Sequence, residues 1–182
     1  MVCRICNSKL NQKIVNLGKQ PISSIFYSKK KNNLTKFSLD LYKCSKCKLV
    51  QFFKSVPIKK MYGLNYGYQT SISNLMISHL IEKKKLLEKK KIIRKKISIL
   101  DIGSNDGTFL NLFGRTFKLF GIDPSSEKFK NFYNRNIFRI NKFFSQKNID
   151  NFFKKKRIKQ RSFDLITSFA IFYDINNPNL FC

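Results

Sequence analysis

The chain has 182 residues, with 42% hydrophobic and 14% aromatic content, so it is a folding chain of one ordinary domain or one small domain plus part of another. No apolar run reaches membrane-spanning length, and no basic-apolar-small leader precedes the first cysteine pair, so a cytoplasmic location is the default expectation. The net charge of +27 comes from 37 Lys and Arg against 10 Asp and Glu, spread along the whole chain. Scattered lysine is more often a solvated face than a nucleic-acid interface, so polyanion binding is the lesser reading of the charge.

Residues 1 to about 55 have the character of a zinc ribbon. Cys3-Arg4-Ile5-Cys6 and Cys44-Ser45-Lys46-Cys47 form a CxxC…CxxC set. Each CxxC turn presents two thiolates to one ion, and two turns complete a tetrahedral shell. In a reducing compartment this spacing favours metal over disulfide. Four cysteines leave no open position for water, which makes the predicted site structural. Cys182 is left over and carries no signal. Phe37 to Lys43 alternates as a half-buried strand, Lys48 to Phe53 reads as its return, and Lys29 to Asn33 reads as an exposed loop tip.

Tyr62 to Thr70 is aromatic and glycine-bearing, and reads as an ordered connector. Ile72, Leu75, Met76, His79 and Leu80 follow at spacings of three and four, predicting an amphipathic helix toward Lys91 with His79 on its apolar stripe.

From Lys96 the pattern is βαβ. Ile97 to Ile102 is a buried strand, and Thr108 to Phe113 begins a helix capped by Asn105 or Asp106. Leu119 to Ile122 is a second strand, with a second helix from Ser125 onward capped by Ser125 or Ser126. Ile137 to Ile140 and Phe163 to Phe169 are a third and fourth. The expected fold class is α/β: a small zinc-ribbon-like domain at residues 1–60, a connector and amphipathic helix at 61–95, and the N-terminal half of a Rossmann-like methyltransferase sheet at 96–182. On this reading the chain is a fragment whose fourth strand is an unprotected edge.

Asp101 ends the first strand of this sheet, and Gly103 and Gly107 allow close backbone approach to a ligand at the following turn. Asp123 comes about 20 residues after Gly103, where an acid binds the ribose hydroxyls of a nucleoside. The run Gly103-Ser104-Asn105-Asp106-Gly107 is not GxGxxG, and Asp106 places a negative charge where a pyrophosphate would sit. S-adenosylmethionine carries an ammonium and a sulfonium in place of phosphate, which favours the methyl donor over a dinucleotide.

At these residues the chain resembles class I S-adenosylmethionine-dependent methyltransferases with an N-terminal zinc-binding domain, a group that includes C-methyltransferases of nucleotide-linked keto-deoxysugars. The matching stretches are CRIC with KCSKCKLVQ, YGLNYGYQTSISNLMISHL, ILDIGSNDGTFL, GIDPS and FDLITSFAIFYDINNP. The resemblance implies zinc on Cys3, Cys6, Cys44 and Cys47. It implies S-adenosylmethionine on Asp101, Gly103, Ser104, Asn105 and Gly107, with Asp123 on the ribose. Tyr66 and Tyr68 match an aromatic segment near the active site of the family. The family's Glu-His catalytic pair belongs to a later region that this sequence lacks. Among His79, Tyr66, Tyr68 and Asp174 no catalytic base is assigned. The implied acceptor is a small molecule, a nucleotide-linked sugar. Rival readings are a zinc-ribbon RNA methyltransferase, a non-enzymatic zinc module and, furthest, a dehydrogenase.

Overall fold

The computed structural model describes residues 1–23, 25–27, 33–63, 65–94, 96–159 and 162–182. In chain order these form β1 (Gln12–Pro21), β2 (Lys36–Lys43), β3 (Val50–Phe52), α1 (Ile58–Met61), α2 (Asn74–Lys89), β4 (Ser98–Ile102), β5 (Lys118–Ile122), β6 (Ile137–Ile140), α3 (Gln146–Lys156), β7 (Leu165–Thr167) and α4 (Pro178–Phe181). The loop tip expected at Lys29 to Asn33 lies outside the described residues except for Asn33, which is exposed. Two compact units result: Met1–Gly67 with Ile171–Cys182, and Tyr68–Ala170.

The first unit holds an antiparallel sheet in the order β1-β2-β3. Its central strand, β2, is the one whose alternation is readable in sequence. β1 was not anticipated. All ten of its residues are exposed, Ile14, Val15 and Leu17 included, so no period-two burial marks it. Its pairing slips twice against β2, and at the second slip Gly18 takes φ +77° while its N–H donates to Asn16 Oδ1 at 2.6 Å. A glycine in that conformation is the usual means of inserting a bulge.

The second unit holds a parallel sheet in the order β6-β5-β4-β7. This is a Rossmann-like arrangement, as the βαβ pattern predicts. β4 is buried at every position and β5 at all but Lys118, the signature of strands covered on both faces. Alternate residues serve alternate faces. Ile99 and Leu119 join Leu80, Phe109, Leu110 and Phe113 on one side. Phe120 goes to the other side, stacked on Phe138 and edge-on to Phe153 and Phe163. α2 packs on the first face through Met76, Leu80 and Leu87.

The apolar stripe of α2 therefore differs from the expected one. Ile72 and Leu75 are 76% and 84% exposed, and His79 is exposed as well. The inward line runs Met76, Leu80, Lys84, Leu87, with Leu80 fully buried and the others half-buried. Lys84 joins it by laying its ammonium 5.5 Å from the Phe113 ring centroid while pairing with Glu88.

Two predicted helices are replaced by tighter turns. After Gly107 only Leu110–Leu112 is helical, as a 3-10 turn, because Gly114 follows within one further turn. After Asp123 the chain makes successive i→i−3 turns and a 3-10 turn at Lys130–Phe132. Of the two expected caps, Ser125 instead donates its hydroxyl back to Asp123 Oδ1 at 2.5 Å. A regular helix does form at α3, which the sequence reading passed over. Ser145 caps it by accepting from Asn148 N, and Ile149 and Phe153 bury beneath the sheet.

Candidate functional site

The cysteine cluster is built from two matching turns. Asn7 N donates to Cys3 O at 2.9 Å and Cys3 N to Ser8 O at 2.8 Å. Lys48 N donates to Cys44 O at 3.0 Å and Cys44 N to Leu49 O at 2.8 Å. In both turns the residue after the second cysteine is left-handed, Asn7 at φ 57° and Lys48 at φ 66°. The four Sγ atoms lie within 4.8 Å of one another, with Cys3–Cys47 and Cys6–Cys44 both at 3.5 Å. Zinc–sulfur bonds of about 2.3 Å at tetrahedral angles require sulfurs about 3.8 Å apart, so the cluster fits the ion. No disulfide links these cysteines. Hydrogen bonds from Ser8 hold Cys6 down to about 6. The Leu49 N–H favours a Cys47 thiolate, but lost solvation and the other three sulfurs push it up to about 12. Four thiolates cannot coexist here without a cation.

The second constellation lies at the carboxyl end of the parallel sheet, in the turn after β4. Gly103 (φ 77°), Asn105 (φ 48°) and Gly107 (φ 78°) are all left-handed, which glycine and asparagine tolerate best. A Cβ on Gly107 would sit 2.8 Å from Tyr133 Cδ1, so that position has no room for a side chain. Asp101, next to last in β4, is 3% exposed and accepts from Thr167 Oγ1 of β7 at 2.7 Å. Asp123 follows β5 at 8% exposure, accepting from Asn105 N at 3.0 Å, Ser125 N at 2.6 Å and Ser125 Oγ at 2.5 Å. Ser104 shares a hydrogen bond with the Tyr133 hydroxyl, which also donates to Asn105 O, both at 2.8 Å. All six residues singled out in sequence thus gather at the carboxyl ends of β4 and β5, and all but Gly103 are buried.

Two partners of the turn, Thr70 and Ser71, were not legible, and Tyr68 joins them. Thr70 donates to Asn105 Oδ1 through its N at 2.9 Å and its Oγ1 at 3.1 Å, and Asn105 Nδ2 donates to Tyr68 O at 3.1 Å. Ser71 N donates to Asp106 Oδ2 at 2.9 Å. The end of the aromatic connector therefore lies on the glycine turn. Asp106 is fully buried and also accepts from Thr108, so its charge sits inside the turn and not at its mouth.

Two family profiles cover the stretches that hold the two constellations. A methyltransferase domain profile matches residues 75–181, and a zinc binding domain profile matches residues 3–62. The chain belongs to the methyltransferase domain family. Its class I domain implies S-adenosylmethionine as donor. No curated protein matches the chain.

The methyltransferase turn suits a cationic ligand. Asp101, Asp106 and Asp123 crowd together, and among the described residues none has a cation in ion-pair range. Burial, with the Asp123 charge adding to it against the Thr167 hydrogen bond, raises Asp101 to about 7. Burial likewise raises Asp123, against hydrogen bonds from Ser125 and Asn105. A carboxylate offers about four acceptor sites, so Asp123 keeps one beyond its three internal donors.

Of the candidate bases, His79 stands exposed on α2. Tyr68 meets the turn through its carbonyl. Tyr66 packs edge-on to Tyr62 at 5.0 Å, and Asp174 accepts the Tyr62 hydroxyl. Burial, then the Asp174 hydrogen bond, raises Tyr62 above the ordinary phenol range. Among the described residues no helix is long and apolar enough to cross a membrane.

Proposed function

We propose that this methyltransferase transfers methyl to carbon on a nucleotide-activated keto-deoxysugar, with the donor held by Asp101, Gly103, Ser104, Asn105, Gly107 and Asp123. The single observation that carries the donor assignment is the cluster of Asp101, Asp106 and Asp123 at a left-handed glycine turn, with no cation in ion-pair range among the described residues. Such a cluster favours a ligand that carries an ammonium and a sulfonium. S-adenosylmethionine, when bound, supplies an electrophilic methyl group. Asp123 orients the nucleoside through its remaining acceptor site, and the backbone at Gly103 and Gly107 permits close approach. Asp101 is a poor ligand for the donor while protonated and a good one once ionised.

Carbon methylation beside a ketone needs a base to remove the carbon-bound proton, and no residue is assigned to that role. Zinc on Cys3, Cys6, Cys44 and Cys47 cross-links the first unit and takes no part in methyl transfer.

The test is transfer of labelled methyl from S-adenosylmethionine to nucleotide keto-deoxysugars, with RNA in a parallel reaction. Label in the sugar supports the reading. Label in RNA alone replaces it with the zinc-ribbon RNA methyltransferase, for which the net charge of +27 speaks.

A further inference from the structure

Beside the cysteine cluster, within the unit of Met1–Gly67 and Ile171–Cys182, lies a cleft of about 630 Å³. Its wall carries one charged side chain, Arg4, and the amide side chains of Asn7, Gln51, Asn176, Asn177 and Asn179. No Asp or Glu lines it.

Arg4 is fixed by uncharged acceptors. Its Nη1 donates to Tyr173 O at 3.0 Å and Ile175 O at 3.1 Å, and its Nη2 to Ser55 Oγ at 3.2 Å. A guanidinium has five N–H donors, so some are left over. No carboxylate lies in ion-pair range of Arg4 among the described residues. A partly buried cation held only by neutral groups is short of a counter-charge, and an oxyanion supplies one with matching fork geometry.

The amides complete the picture. Gln51 is 7% exposed and accepts Arg4 N at 3.0 Å through Oε1, which leaves its NH2 without a protein acceptor among the described residues. Asn177 and Asn179 are engaged, with Leu180 N and Ile5 O. Asn7 and Asn176 are exposed, and their side chains have no hydrogen-bond partner among the described residues, so both are free to turn to a ligand. Amides offer donors and acceptors together, which suits hydroxyl groups.

We propose that this cleft binds a phosphate ester of a hydroxyl-rich molecule, its phosphate on Arg4 and its hydroxyls on Gln51, Asn7 and Asn176. The assignment goes beyond methyl transfer and does not depend on which molecule is methylated. The shared chemistry fits both a nucleotide-linked sugar and a simple sugar phosphate.

The test is calorimetric titration of the zinc-loaded full chain, in moderate salt that screens exposed charge, with uridine diphosphate glucose, glucose 1-phosphate and inorganic pyrophosphate. Asn176→Asp places a like charge in the cleft without removing a bond of the fold. Arg4→Met removes the anion's partner. Lys147→Ala, in the other unit, controls for net charge. The expected result is saturable binding of at least one sugar ester, weakened about tenfold or more by Asn176→Asp and unchanged by Lys147→Ala. S-adenosylmethionine titrated into the same Asn176→Asp sample should bind as in the parent chain, which separates this cleft from the donor site. Failure of both sugar esters to saturate a folded sample would overturn the proposal. Equal weakening by Asn176→Asp and Lys147→Ala would do so too, as would pyrophosphate binding as tightly as the sugar esters.

Discussion

The backbone N–H of Ser71 donates to Asp106 Oδ2 at 2.9 Å, joining the segment before α2 to the heart of the glycine turn. Asp106 accepts three donors in all, two of them from Thr108. A buried carboxylate with that many partners acts as a brace for the loop. Asp106→Asn keeps the size but loses acceptor capacity. It should cost about 1–3 kcal/mol in denaturant unfolding and weaken S-adenosylmethionine binding by loosening the turn.

Gly107 allows a second direct check. Its φ of +78° and the Tyr133 ring 2.8 Å from a virtual Cβ both oppose any side chain. Gly107→Ala should destabilise the chain by about 2 kcal/mol or more. Adding Tyr133→Ala should not restore the parent stability, because the backbone strain persists when the ring is gone.

Asp101 makes stability depend on pH. Its folded value of about 7 lies above the ordinary 3.8, so the folded state holds the proton more tightly than the unfolded chain. The unfavourable contribution is absent below about pH 4, grows as pH rises, and is complete above about pH 7. Asp101→Asn should remove this slope, gaining up to about 4 kcal/mol relative to the parent between pH 4 and pH 8. The readout is the difference between the two proteins' unfolding curves across that range. Equal slopes would refute the buried-carboxylate account.

The cysteine cluster predicts one zinc ion per chain by elemental analysis. Cys44→Ser, at a fully buried position, should lose the metal. Structural zinc contributes about 10–16 kcal/mol in small domains, which exceeds the usual stability of a domain. Chelation should therefore unfold the Met1–Gly67 part of the chain, detected as loss of amide protection there. Retained protection after complete zinc removal would contradict the structural role.

The sequence announced what depends on local pattern. β4, β5 and β6 stand at or within one residue of their expected bounds: β4 and β5 are buried almost throughout and read as apolar runs, while β6 is marked by the buried Ile137 and Ile140 at its two ends. Cys3, Cys6, Cys44 and Cys47 are brought together because their spacing already encodes two knuckles. β1 was silent because every residue is exposed and its register slips twice. The helices expected after Gly107 and Asp123 failed because capping residues were read as helix starts. In the fold Ser125 folds back onto Asp123, and Asp106 closes a local turn with Thr108. The hold of Thr70 and Ser71 on the turn depends on tertiary placement across more than thirty residues, with no periodic trace in the chain.

The central claim is that the turn of Gly103 to Gly107, with Asp123, binds S-adenosylmethionine. The most direct measurement is calorimetric titration of the zinc-loaded chain with S-adenosylmethionine, with NADH as control and Asp123→Asn as the variant that keeps the side chain's shape. The account predicts saturable binding of S-adenosylmethionine, none of NADH, and an affinity about tenfold or more weaker in Asp123→Asn. No saturation by S-adenosylmethionine in a folded sample, or NADH binding of equal strength, would contradict it.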